Sequence, residues 1–339
     1  MNHINKLLYL LLIAACYSCS SNSDTEKYQN KRDNVINVRE KVKEIEMEEV
    51  LIGQTARLCL MNDYLIIGDY KSLDKLIHLF DKKEFRYLTS TAYRGQGPGE
   101  ITNMGHIAAD ETNRMFYVND HGKQTIFSYE LDSVLANSRY MPEVKMKMNE
   151  KQFPDKYQCI NDTLSIGLLI TPIGNADFKP SVAKWNMSTG EVTPMKYEHP
   201  GIEKKRISFA VSMENGIYVE CFFNHDLMTI VSLDGDLKYT IYGPDWSSQD
   251  NNKIHYYGKV IFCNNKILAT YSGGHNSFDK RFPTKFLVFD INGDYIQTLE
   301  TGYRISDYCY DKENNRIIMN LDDEIQFAYL NLDENMLRK

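Results

Sequence analysis

Hydrophobic residues in this chain fall in short runs, interrupted every few positions by Asn, Asp, Gly or a charged side chain. Runs of that length, rich in Val, Ile, Tyr and Phe, fit strands, and none has the length or spacing of a crossover helix. The pattern also recurs. Pairs of turn-forming residues stand at Asn62-Asp63, Thr112-Asn113, Asn161-Asp162, Asn215-Gly216, Asn264-Asn265 and Asn314-Asn315, at intervals close to fifty residues. Asn, Asp and Gly tolerate the positive φ that tight hairpins need. A β-prone run follows each turn, as in Tyr64-Leu65-Ile66-Ile67 and Arg316-Ile317-Ile318-Met319, with Thr163-Leu164-Ser165-Ile166 the weakest copy. A third run closes each unit, from Leu76–Phe80 in the first to Gln326–Leu330 in the last, and four of these lead through a polar turn into a fourth strand.

Four strands in about fifty residues, six times over, predict an all-β fold, a six-bladed β-propeller with four-stranded blades. A two-sheet sandwich would give no reason for six equal repeats. The sixth unit runs out of chain, because the charged segment after Leu330 makes a poor strand. The last blade is therefore expected to be closed by an N-terminal strand, and Val35-Ile36-Asn37-Val38 is the apolar segment placed to do so, covering edges otherwise open to pairing. The propeller then occupies 35–339. In this geometry the blade-joining loops and the loops between second and third strands share one face, the ligand face. The inner hairpin turns, Lys82 and Asp236 fall on the opposite face, where substitution is expected to leave ligand binding unchanged. The longest ligand-face loops, Leu169–Lys179 and Ser272–Thr284, are expected to form a rim.

The first residues carry an address. Lys6 precedes an apolar run, Leu7 to Ala15, too short to cross a bilayer as a helix but fitting the h-region of a signal peptide. Ile13-Ala14-Ala15-Cys16 resembles the bacterial lipobox, so 1–15 is expected to be removed and Cys16 lipidated, with ordinary secretion and nearby cleavage as the alternative. Cys19 follows Tyr17-Ser18 and suits lipidation less. Residues 16–34, rich in Ser, Asn, Asp and Lys, are expected to be the lipidated Cys and a flexible tether.

Composition narrows the partners. The 339 residues are 42% hydrophobic, enough for a large core, and the formal charge of −7 is dispersed. No basic stripe suggests nucleic acid. Of seven cysteines, Cys59, Cys159, Cys263 and Cys309 fall on presumptive inner strands with no disulfide spacing, and are expected to be buried thiols.

The segment Arg94-Gly95-Gln96-Gly97-Pro98-Gly99-Glu100-Ile101 is similar to one found in TolB-like, NHL-like six-bladed propeller lipoproteins of Gram-negative anaerobes. Tyr64–Asp69, Leu79-Phe80-Asp81 and the lipobox extend the resemblance over nearly the whole mature chain. It implies a lipid-anchored envelope protein, expected at the outer membrane, and little about activity. Pro98 and the absence of a following Lys-Ser/Thr exclude a phosphate cradle, so the glycines read as a path between blades, with a ligand role for Arg94, Gln96 and Glu100 as the alternative.

The ligand-face candidates are Asp69, Arg94, Gln96, Glu100, Asp120, His121, His275 and Arg281. Asp69, Asp120 and Glu220 could hold a divalent cation in the channel, as in enzymes of the gluconolactonase type, which makes a channel-metal hydrolase or lyase the rival reading. His121, His225 and His275 lack zinc spacing, and no nucleophile elbow is present. The expectation is thus a binding or scaffold module for a protein, peptide or glycan, without catalytic residues, metal or cofactor. The 23 tyrosines suit such a surface or simply favour strands.

Overall fold

The computed structural model describes residues 24–137, 139–174, 177–202, 205–249, 252–277 and 282–338. The leader, Cys16 and Arg281 lie outside the described residues.

Each of the six units forms an antiparallel sheet of four strands, and the sheets stand around a central channel. In blade one the strands are Arg57–Met61, Tyr64–Gly68, Lys75–Asp81 and Tyr87–Tyr93, paired in that order from the channel outward. Blades two to five follow over 104–147, 153–194, 207–242 and 254–300. Blade six takes three strands from 305–331. Turn chemistry explains the hairpins. Asn62 and Asn264 take φ of 50° in the two-residue turns of blades one and five, and Arg114, Gly216 and Asn315 take φ of 53°, 63° and 47° at the last position of longer ones.

Both faces of each sheet are buried, which is why the second strands read as unbroken apolar runs instead of alternating ones. Leu65 and Ile67 pack against blade six, while Ile66 between them packs against blade two. Ile217, Val219 and Cys221 likewise face blade five, and Tyr218 and Phe222 face blade three. The core is thus a ring of inter-blade seams.

The N-terminal segment departs from expectation. Blade six is closed by an N-terminal strand, but it is Val42–Glu44, antiparallel to Phe327–Asn331. Val35–Asn37 instead adds a parallel fifth strand to the outer edge of blade five, and Glu26–Tyr28 does the same on blade four. An outermost strand needs backbone pairing and little apolar area, so the polar Val42-Lys43-Glu44 serves, and a search by hydrophobicity favours the wrong segment. The supposed tether is fastened from Glu26 onward. Arg32, 7% exposed at its side chain, reaches Asp226 and the Tyr257 hydroxyl, both at 2.8 Å.

A further correction concerns the rim. The expected rim loop of blade three is largely a paired hairpin, Leu164–Gly174 with Asp177–Asn186, and in blade five the paired strand Lys266–His275 takes up the first four residues of the other. Lys82, on the opposite face, is 6% exposed and bonded to the Asn62 carbonyl at 2.6 Å and to Glu313 at 2.9 Å. Its aliphatic stem is covered where blades six and one meet.

Candidate functional site

On the ligand face, most of the expected site residues hold the loops together. Asp69 is buried and accepts from the backbone N–H of Gly53 and Lys71. Asp120, fully buried, accepts from Thr102, Asn103, Gly122 and Lys123. Both carboxylates are caps, a use strand-end Asp shares with turns generally. The glycine segment closes on itself: Glu100 accepts from the Gly97 N–H at 2.7 Å, and a Cβ on Gly95 would collide with that carboxylate. Lys123 adds bonds to the Gly97 and Glu100 carbonyls. Only Gly99 has positive φ there, at 70°. Arg94 and Gln96 remain exposed, with Arg94 donating to the Tyr70 carbonyl. His121 packs edge-on to Phe153, and its Nδ1 is buried without a hydrogen-bond partner among the described residues. His275 is exposed at the tip of a blade-five strand. These positions surround the face without converging.

The three carboxylates of the metal reading do not converge either. Glu220 is fully buried and committed to Lys205 at 2.5 Å and the Thr229 hydroxyl at 3.2 Å. Among the described residues no group of three or more His, Cys, Asp or Glu is arranged to hold a metal ion. The five described cysteines are free, and burial pushes the Cys59 thiol up to about 12, far from a reactive thiolate.

The channel holds a cavity of about 560 Å³ walled by the innermost strands. Each blade contributes one polar residue at nearly the same register. Arg57, His106, Ser208, Lys259 and Asp307 each stand four positions before the end of their innermost strand. Lys156 stands three before the end of its own, in a strand that carries a bulge beside it. All six line the cavity. At 3.3 Å per residue the ring lies roughly 13 Å above the hairpin turns, toward the ligand face. Tyr70 and Phe223 also line the cavity, with apolar residues such as Ile107, Val260 and Phe262 and the polar Gln158, His255 and Ser306 completing the wall.

The ring has a definite charge state. Asp307 accepts the Leu58 N–H at 2.6 Å through one oxygen and Lys259 Nζ at 2.8 Å through the other. Ser208 donates to the Gly258 carbonyl, and His106 Nε2–H donates to the Tyr157 carbonyl at 2.8 Å. Burial depresses the His106 pKa to about 3, so its ring is neutral at physiological pH. Three cations from blades one, three and five therefore share the ring with one carboxylate, Asp307, and Asp155 acts on Arg57 and Lys156 from beside it. Arg57 lies over the Tyr70 ring at 4.8 Å and has no ion pair, and Lys156 has neither hydrogen bond nor ion pair among the described residues. Burial, reinforced by Arg57 and Lys259 and opposed by Asp155, lowers the Lys156 pKa. Burial raises the Tyr70 hydroxyl to about 12 against the pull of Arg57.

None of these six was singled out from sequence, although the signal was there: a polar residue three or four positions before the hairpin in each innermost strand. The neutral His106 carries a pH dependence. Its folded pKa lies below the unfolded value of about 6.5, so the unfolded chain binds the extra proton first. Stability is then full above about pH 6.5 and declines toward pH 3, by at most about 1.4 kcal/mol per pH unit. The gap in melting temperature between pH 7 and pH 5 should be smaller in His106→Gln than in the wild type. Equal gaps would refute the neutral, buried assignment.

Residues 29–154 match the DUF5128 family, described as a 6-bladed beta-propeller. No curated protein matches the sequence. Among solved structures the chain resembles a member of the duf4221 family from Bacteroides vulgatus, with 14% identity, a TM-score of 0.58 and coverage of 88% of this chain and 98% of that one. It also resembles a protein of Bacteroides fragilis presumed to be exported, with 10% identity, a TM-score of 0.54 and coverage of 90% and 98%. At these identities the likeness is one of fold, and the fold is a six-bladed β-propeller.

Proposed function

We propose that this chain is an exported, lipid-anchored binding protein of the bacterial envelope that holds its ligand at the channel ring and presents the surrounding face to it. The polar ring carries this reading. Six side chains from six blades converge on one cavity, whose volume falls within the ~300–1,000 Å³ of small-molecule sites. A free small molecule, or one residue of a peptide or glycan, fits that space. The lipobox at Cys16 and the exported protein with the same fold support the address. Binding, and not turnover, suits a ring whose carboxylate is committed on both oxygens and whose histidine is neutral and anchored through Nε2.

The test is retention. Full-length protein immobilised in detergent is exposed to envelope extract, washed and denatured, and the released compounds are read by mass spectrometry. The wild type should release a compound that Arg57→Ala/Lys156→Ala does not. Nothing released by the wild type, or equal release by both, would overturn the assignment to the channel.

A further inference from the structure

We propose that the channel site is selective for a small organic anion, a carboxylate or phosphate ester, whose charged group docks between Arg57 and Lys156 while its body rests against Tyr70 and Phe223. This rests on the channel reading above and names its ligand class. Four of the six ring positions are already engaged within the protein, Asp307 with Lys259, Ser208 with Gly258 and His106 with Tyr157. The two that form no ion pair are cations: Arg57 is hydrogen-bonded to Tyr70, and Asp155 and Asp307 attract both from farther off. Arg57 and Lys156 come from different blades, reach water inside the channel, and are walled by protein on several sides. In such surroundings two like charges repel more strongly than at an open surface, and an oxyanion between them would relieve that repulsion and accept from both. Arg offers a planar fork to a carboxylate or phosphate, and Lys offers a point charge beside it. The Tyr70 ring beneath the Arg57 guanidinium holds the fork in place and offers its flank to an apolar or cyclic body. Burial, with Arg57 and Lys259 nearby, lowers the Lys156 pKa although Asp155 and Asp307 pull the other way.

Cations without an ion pair in the unliganded protein have a consequence that an ordinary structural role lacks. Lys156→Met keeps the stem and removes the charge. The variant should therefore melt no lower than the wild type, and higher if the repulsion is appreciable. The full-length protein is titrated with glucuronate, benzoate, glucose 6-phosphate and inorganic phosphate, and with glucose and benzamide as uncharged counterparts. Thermal shift and calorimetry report binding.

Anions should raise the melting temperature and the uncharged counterparts should not. Arg57→Gln and Lys156→Met should each weaken the anion by about tenfold or more, the usual effect of deleting one partner of a charged hydrogen bond. Carboxylate and phosphate arms identify which oxyanion the ring prefers. A response equal for charged and uncharged members, no response to any anion, or anion binding unchanged in both variants would overturn the proposal. So would a Lys156→Met protein markedly less stable than the wild type. If envelope extract still yields a channel-dependent compound in those cases, the binding function stands and only the anionic class falls.

Discussion

Arg32→Ala is expected to destabilise the propeller by about 3–5 kcal/mol, the range for removing one partner of a buried ion pair. The guanidinium is held on Asp226, whose side chain is fully buried, and on the Tyr257 hydroxyl. Its carbon lies 5.7 Å from the Tyr257 ring centre, 5.2 Å from that of Tyr271 and 5.7 Å from that of Phe289. The pKa of Arg32 is raised: burial opposes the charge, but Tyr257, Asp226 and Tyr271 outweigh it. Truncation leaves a carboxylate buried in the seam of blades four and five with the Asp245 N–H and the Tyr271 hydroxyl in place of its cation. A domain this size loses roughly 2–4 °C per kcal/mol, so thermal unfolding should shift down by on the order of 10 °C. Arg32→Met/Asp226→Leu, which removes both charges, should recover part of the loss. A melting point within a degree or two of the wild type in Arg32→Ala would mean that the segment is the loose tether its composition suggests.

That composition is instructive about what the sequence can and cannot tell. The blades were legible because each strand satisfies a local rule: turn residues with accessible positive φ at Asn62, Gly216 and Asn264, and unbroken apolar runs where both faces are buried. The closing strand and the strap were not, because Lys27, Arg32, Lys43 and Glu44 are polar residues whose partners lie more than 190 residues away in sequence. Long-range pairing leaves no periodic trace. The candidate site failed differently. Asp69, Asp120 and Glu100 stood where a ligand-face residue should, but backbone amides claim their oxygens. The ring residues form no local motif, and their convergence emerges only when six repeats are aligned on their hairpins.

Asp311→Ala should be the second severe variant, and an internal comparison isolates the reason. Asp311 ends the innermost strand of blade six and accepts from the Asn314 N–H at 3.4 Å and its side-chain amide at 2.8 Å. Asp110 does the same in blade two, accepting from the Asn113 N–H at 3.2 Å and its amide at 2.9 Å. Asp110 also accepts from the Tyr117 hydroxyl at 3.4 Å, so Asp110→Ala measures the cap together with that long bond, at about 1 kcal/mol per net hydrogen bond. Asp311 has a further duty. Arg316 Nε donates to it at 3.0 Å and Lys82 Nζ stands 3.7 Å away, with side chains 9% and 8% exposed. Arg316 also donates to the Lys82 carbonyl at 2.6 Å and lies over the Phe85 ring at 4.4 Å, which ties blade six to blade one where the ring of blades meets its beginning. Removing Asp311 leaves Arg316 without its carboxylate and Lys82 with the exposed Glu313 and the Asn62 carbonyl. The expected loss is about 3–5 kcal/mol, several times that of Asp110→Ala, with Asp311→Asn between them because its carbonyl still accepts. Chemical denaturation of the three variants at one pH decides it. Equal losses in Asp110→Ala and Asp311→Ala would assign the Asp311 effect to the turn alone and leave the cations no part in closing the ring.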